Sequence, residues 1–167
     1  TCSTAEHHIL VDLIDLKRMS YREVSDEHPD GIAGDSRSAS GSVTGVRIHT
    51  TIASAVGCVA EFLASATSIA LMQEQGIDTS HLPSRVLIID EGGSFLGAVK
   101  PWWRGPAGQK GPSPIPFWLH CLTMQGRALG HRGILGAHQL NLSLFGDAGT
   151  DMRDLFSCLL YTSDAAD

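Results

Sequence analysis

The sequence predicts an α/β fold: a mostly parallel sheet flanked by helices. Three observations carry this. The run Val86-Leu87-Ile88-Ile89 has no polar break, as suits a strand covered on both faces. Two strand–helix–strand units follow one another, and each strand ends in polar residues. The 167 residues, 43% hydrophobic and 18% charged, suffice for one domain with a real core and fall outside the disordered class.

The remaining totals narrow the function classes. A net charge of -6 and a pI of about 5.7 argue against gripping nucleic acid by bulk charge. They leave room for a local basic loop or a ring of several subunits. Cys2, Cys58, Cys121 and Cys158 show no paired spacing, which points away from zinc and from a disulfide framework and toward a reducing cytoplasm. No signal-peptide pattern is visible. The first residue is Thr1 rather than Met, so the chain is expected to be a fragment.

Residues 8–15 read as the first strand, rich in aliphatic and β-branched side chains. Residues 25–45 read as a loop. Its stretch 34–42 is dense in Gly and Ser but lacks the closing Gly-Lys-Ser/Thr of a phosphate cradle, so a flexible connection is expected. Val46-Arg47-Ile48-His49 alternates as a short strand. Thr50 or Thr51 then caps a helix that runs to about Gln75 and stops at Gly76. Its apolar face is Ile52, Val56, Val59, Leu63, Ala66 and Ala70. Residues 52–72 have the length of a membrane span, but Glu61 in the middle and the many Ala, Ser and Thr favour a sheet-packing helix.

A loop at 77–83 leads into the strand 86–89. Residues 92–97 are expected as a turn and a short apolar piece, followed by Trp102-Trp103 and an irregular stretch, 105–116. The paired Trp could stack on bases or a partner; alternatively one ring packs on the core and the other shields it. Pro116 opens a helix reaching Gly130, and residues 133–139 read as a third buried strand.

The chemistry concentrates where strands end. Asp90 and Glu91 follow the aliphatic run directly, at the carboxyl end where open α/β sheets bind ligands. One carboxylate can hold a hydrated magnesium ion and its neighbour can orient or deprotonate a water, the arrangement of a Walker B strand. The same residues also fit a core strand that ends in a solvated acidic turn. Asp15 and Lys17 lie just past the first strand, as ligand contacts or as a local ion pair. His138 and Gln139 share the rim of Asp90 and Glu91 if their strands are parallel neighbours.

With these pieces in order, the chain resembles the motor domain of the FtsK/SpoIIIE family of DNA translocases, of the kind found in actinobacterial plasmid and integrative-element transfer proteins. The residues that carry the resemblance are Val11 through Arg18, similar to that family's "IDPKR" strand end; Gly45-Val46-Arg47-Ile48-His49 with the helix after it; Val86 to Glu91 as Walker B; Gly126-Arg127-Ala128-Leu129-Gly130; and Ile134 to Gln139 as the sensor strand. The match spans about residues 11–156. It implies a RecA-like P-loop NTPase core, ATP and Mg2+ as cofactors, a homo-hexameric ring and double-stranded DNA as partner. It also implies a cytoplasmic location, with any membrane tether in segments outside this sequence. Carried over, Asp90 holds magnesium through water, Glu91 polarises the attacking water, Gln139 senses the γ-phosphate, and Arg127 acts across a subunit boundary, with Arg132 as its rival.

The sequence departs from the family pattern in two places. No Gly-x-x-x-x-Gly-Lys-Ser/Thr occurs, and in the family that loop precedes the first strand. The polypeptide alone is therefore expected neither to bind ATP tightly nor to hydrolyse it. Residues 158–167 leave the pattern and resemble translated adapter read-through, so the domain is expected to be 1–157 with a non-native tail. Two other readings remain: an ATPase that moves protein through a secretion system, and a catalytically silent scaffold with a decayed nucleotide site.

Overall fold

The computed structural model describes residues 8–17, 36–38 and 41–136. Its centre is strand β1, His8–Ile14, which takes neighbours on both sides. To one side lies β3, Gly41–His49, and beyond it the short β2, Ser36–Ser38. To the other lie β4, Ser84–Ile89, and β5, His131–Leu135. The order across the sheet is β2-β3-β1-β4-β5; β3, β1, β4 and β5 are mutually parallel, and only β2 runs against its neighbour. Ile14 is level with both His49 and Ile89, and Ile89 with Leu135, so the four parallel strands end on one rim.

The extent of β3 corrects the sequence reading. The expected loop 25–45 gives way to β2 and to five further residues of β3. Gly41 and Ser42 look like loop residues by composition, but Ser42 and Val43 pair with His8 and Ile9, and that ladder outweighs their weak strand preference. The rest of that loop lies outside the described residues.

Helix α1, Ile52–Glu74, joins β3 to β4. Thr51 caps it, accepting from the Ser54 amide at 3.2 Å. Ala55, Val56, Val59, Phe62, Ala66 and Ile69 form its buried stripe, at the three- and four-residue steps that one helix face requires. Gly76 ends it at a φ of +73°, a conformation that costs glycine nothing. The helix is long and apolar enough to cross a bilayer, with a mean hydropathy of 1.7 over its most apolar window. Here its stripe packs on the sheet.

Helix α2, Gly92–Arg104, is a second correction, because a turn and a short apolar piece were expected over 92–97. Phe95, Leu96 and Val99 do carry a helical period, but Gly92-Gly93 before them and Pro101 after them are both breaking signals that obscure it. Both Trp102 and Trp103 are half-buried against the core, so neither ring simply shields the other. Helix α3, Ile115–Gln125, has Pro116 in its first turn as expected, then tightens into a 3-10 turn at Gly126–Leu129. Gly130 reverses the chain at a φ of +72° into β5.

Strand β5 starts two residues earlier than read from the sequence, and it is not a buried strand. His131 and Leu135 are buried, whereas Arg132, Gly133 and Ile134 are exposed. Its one neighbour among the described residues is β4, and a strand at a sheet edge has less to cover it.

Both crossovers, β3 to β4 and β4 to β5, step along the sheet in the same direction. Right-handed connections then place all their helices on one face. Accordingly α1 packs against both α2 and α3. The core lies between these helices and Ile14, Leu87, Ile89 and Leu135.

Candidate functional site

Two groups of polar side chains stand out, one on the carboxyl rim and one inside the sheet–helix layer. The rim is built by backbone bonds that run on past the strand ends. The Asp90 amide donates to Ile14 O at 3.0 Å, and the Gly136 amide to Ile89 O at 2.9 Å. The Gly92 amide then donates to Gly136 O at 2.8 Å. Residues 89–92 are thereby clamped between β1 and β5. The chain turns sharply at Glu91, at φ 52° and ψ 63°, a left-handed conformation that L residues other than Gly rarely hold and that costs about 1–3 kcal/mol. Such strain persists only where its surroundings impose it. Gly92 shows how tightly they do: a Cβ there would sit 2.2 Å from Leu135 Cδ1.

This turn sends Asp90 and Glu91 onto the rim. A Cβ on Gly136 would lie 3.6 Å from Asp90 Oδ1, so the carboxylate rests over a bare backbone. Glu91 immediately precedes α2, and its side chain makes no capping hydrogen bond to the helix backbone. Its Oε1 pairs with Lys17 Nζ, and its Oε2 accepts from Ser94 Oγ at 2.9 Å. Lys17 reaches there because Asp15 Oδ1 accepts the Lys17 amide at 3.1 Å, a local turn that bends the chain toward β4. Asp15 is buried at 2% exposure and its amide donates to His49 O. The rim thus gathers three carboxylates, one ammonium and the amino end of α2, whose dipole favours anions.

Sequence reading anticipated part of this. Asp90, Glu91 and the Asp15-Leu16-Lys17 turn meet as expected. Gln139 and His138 lie outside the described residues. Arg127 belongs to the 3-10 turn ahead of β5, at the amino edge of the sheet, the edge opposite Asp90 and Glu91 of the same chain. The length of β5, about 16 Å at 3.3 Å per residue, separates them. Arg132 lies in the amino half of β5 and is exposed.

Sequence reading missed the second group. Asp12, in the middle of β1, is 1% exposed. Its Oδ1 accepts from Arg47 Nε at 2.7 Å and faces His49 Nε2 at 3.3 Å; its Oδ2 accepts from Arg85 Nη2 at 2.7 Å. Arg47 goes on to grip Glu61 of α1 with both terminal nitrogens, at 3.1 and 3.0 Å, and Arg85 reaches the same carboxylate at 3.3 Å. Burial pushes the Asp12 carboxyl up, but hydrogen bonds from His49, Arg47 and Arg85 together outweigh it and hold the group well below the usual carboxylate range. The Asp12 hydrogen bond, followed by that of Glu61, raises Arg47 further above its usual value. Arg85 also lies 5.3 Å over the Phe62 ring, and Phe62 meets His131 edge-on at 4.8 Å. The signal was present in the sequence: Asp12 interrupts one aliphatic strand, and Arg47 and Arg85 take same-face positions on its neighbours.

Asp12, His49 and Cys58 place one donor atom each within 4.8 Å of one another, close enough to suggest a metal site. The donor set does not fit a cation. Two guanidinium groups already occupy Asp12. Burial, reinforced by the Asp12 charge, pushes the Cys58 thiol up to about 12, far from the thiolate that a metal needs. The group is a structural ion network.

No family model and no curated protein matches the chain. Among solved structures it is similar to "EssC (ATPases 2 and 3)" from Geobacillus thermodenitrificans, at a TM-score of 0.41 and 11% identity, over 96% of this chain and 30% of that one. The chain is an α/β protein. That assignment rests on its own sheet: four parallel strands, two helical crossovers and one polar rim. The chain spans less than a third of that neighbour's length.

Proposed function

We propose that this chain is the Walker B half of an ATP-driven motor domain, and that its rim holds the magnesium-bound phosphates of ATP. One observation carries the reading: parallel strands bring Asp90, Glu91, Asp15 and Lys17 to a single edge. In this reading Asp90 holds Mg2+ through water and Glu91 polarises the attacking water. Bound Mg2+ supplies charge neutralisation for the phosphates. Gln139 senses the γ-phosphate. Arg127 serves a neighbouring subunit, because it stands at the edge opposite its own chain's acidic pair. The domain is taken as residues 1–157, with 158–167 a non-native tail.

The finer reading, a cytoplasmic homo-hexamer that translocates double-stranded DNA, draws its support from the order of motifs along the sequence. The test is ATP turnover by the full-length gene product with and without duplex DNA. Turnover that DNA stimulates, and that Glu91→Gln abolishes, is the expected result. Turnover indifferent to DNA removes the DNA cargo. Turnover unaffected by Glu91→Gln removes the motor reading itself.

A further inference from the structure

We propose that Ser54, His49 and Asp12 form an acyl-transfer site at the start of α1, with carboxylic esters as its substrate class. The proposal is independent of the nucleotide reading and uses none of its residues. The buried ion network reaches the surface here: Ser54 Oγ lies 2.7 Å from His49 Nδ1, and His49 Nε2 lies 3.3 Å from Asp12 Oδ1. A hydroxyl, an imidazole within reach of its proton and a carboxylate behind that imidazole are the parts of an activated nucleophile. Asp12 is ionised and can only accept, so the His49 proton sits on Nε2. Nδ1 then keeps its lone pair, and the Ser54 hydroxyl donates to it. Arg47 and Arg85 share the carboxylate, so Asp12 fixes the tautomer of His49 rather than cancelling its charge.

Exposure runs in the order the chemistry needs. Asp12 is enclosed, the His49 side chain is 12% exposed and Ser54 is exposed, so the hydroxyl is the group a substrate meets. Exposed hydroxyls further along α1 are spent differently: Thr67 and Ser68 donate back to the carbonyls of Leu63 and Ala64. Ser54 also stands in the first turn of α1, whose dipole favours the negative charge that forms on an attacked carbonyl oxygen. The amides of Ile52 and Ala53 precede the bond from the Ala55 amide to Thr51 O and supply the donors for that oxygen. In the reaction Ser54 Oγ adds to the ester carbonyl carbon as its proton passes to His49 Nδ1. The bond from that carbon to the alcohol oxygen breaks, and the alcohol leaves with the proton. Water then adds to the acyl-serine and gives a proton to Nδ1. The carboxylic acid leaves as Ser54 Oγ takes that proton back.

Two probes test this on the 167-residue chain: 4-nitrophenyl acetate and an alkyl fluorophosphonate. The second reacts as the Oγ–P bond forms and the P–F bond breaks, with fluoride leaving. Peptide mass spectrometry should find the phosphonyl group on Ser54, and ester hydrolysis should fall in step with that labelling. In Ser54→Ala hydrolysis should drop to the rate of the urea-unfolded chain. Ser54 is exposed, so this variant is expected to stay folded, which its unfolding curve reports. His49→Gln should lose the Ser54 label. Imidazole-nitrogen NMR of wild-type His49 should show the proton on Nε2 and a bare Nδ1, a signature that a purely structural contact would not require. A label spread over other hydroxyls, or hydrolysis unchanged in Ser54→Ala, overturns the proposal. So does a His49 proton on Nδ1, and so does a folded wild-type chain that reacts with neither probe.

Discussion

Asp12 sits where an aliphatic side chain would normally be, in the middle of a strand and almost wholly enclosed. Two guanidinium groups make that tolerable. Removing one member of a buried charged set leaves the others uncompensated, at a cost of about 3–5 kcal/mol. Asp12→Ala is therefore expected to lose about that much in chemical denaturation. Combining Asp12→Leu with Arg85→Met should recover most of it, because apolar replacements of a buried pair are often neutral. The depressed Asp12 carboxyl has a pH signature. Its contribution is complete above the ordinary value of 3.8 and is lost as pH falls through 3.8 toward the folded-state value. His131 acts at a higher window. It is 2% exposed; its Nδ1–H donates to Leu129 O, and its Nε2 accepts from Ser65 Oγ. Burial lowers its proton affinity, so the unfolded chain takes up protons first as pH falls below 6.5. Denaturation midpoints should drop between about pH 7 and pH 5, and His131→Asn should flatten that part of the profile. A wild-type profile flat across this interval contradicts the assignment. At this scale the sequence was partly legible. Asp90 and Glu91 declared themselves by standing next to each other. Asp12, Arg47, Glu61 and Arg85 did not, because four residues from four elements meet only once the register is set.

Elements differ in how openly they announce themselves. Helix α1 was legible from Thr51 to Gly76, since cap, stripe and stop signal agree. Thr51→Ala should cost about 1 kcal/mol, the usual worth of such a cap, with no change at the rim. A variant as stable as wild type in thermal unfolding would remove the cap. Helix α2 was hidden, because its first two residues are glycines and its last turn holds Pro101. The first glycine has a reason that only the structure reveals. Gly92 passes so close to Leu135 that a methyl there must displace it. Gly92→Ala should therefore destabilise by about 1–3 kcal/mol, as overpacking does, and Leu135→Ala should relieve part of the loss. Additive losses in the double variant would show that the two positions do not touch. Strand β5 was misplaced for a related reason. Gly133 to Gln139 looks apolar in sequence, while the ladder itself is decided by pairing with β4.

For the molecule as a whole, connection handedness decides what faces what. Two crossovers in the same sense collect α1, α2 and α3 on one face, and four parallel strands deliver their ends to one rim. The parallel strands and their shared rim followed from the sequence once the strands were recognised; the strand order that gathers the helices on one face did not. The position of Arg127 did not, because which edge a turn occupies depends on strand direction. The proposed function requires magnesium and phosphate to meet the chain at this rim. Manganese with ATP can replace the magnesium complex and broaden nearby amide signals even when binding is weak. Backbone NMR of the 167-residue chain should show that broadening at residues 15–17, 90–93 and 136, reduced in Asp90→Asn, and not at 84–86 or 131. Broadening centred on that amino edge, or none on the rim, would contradict the account.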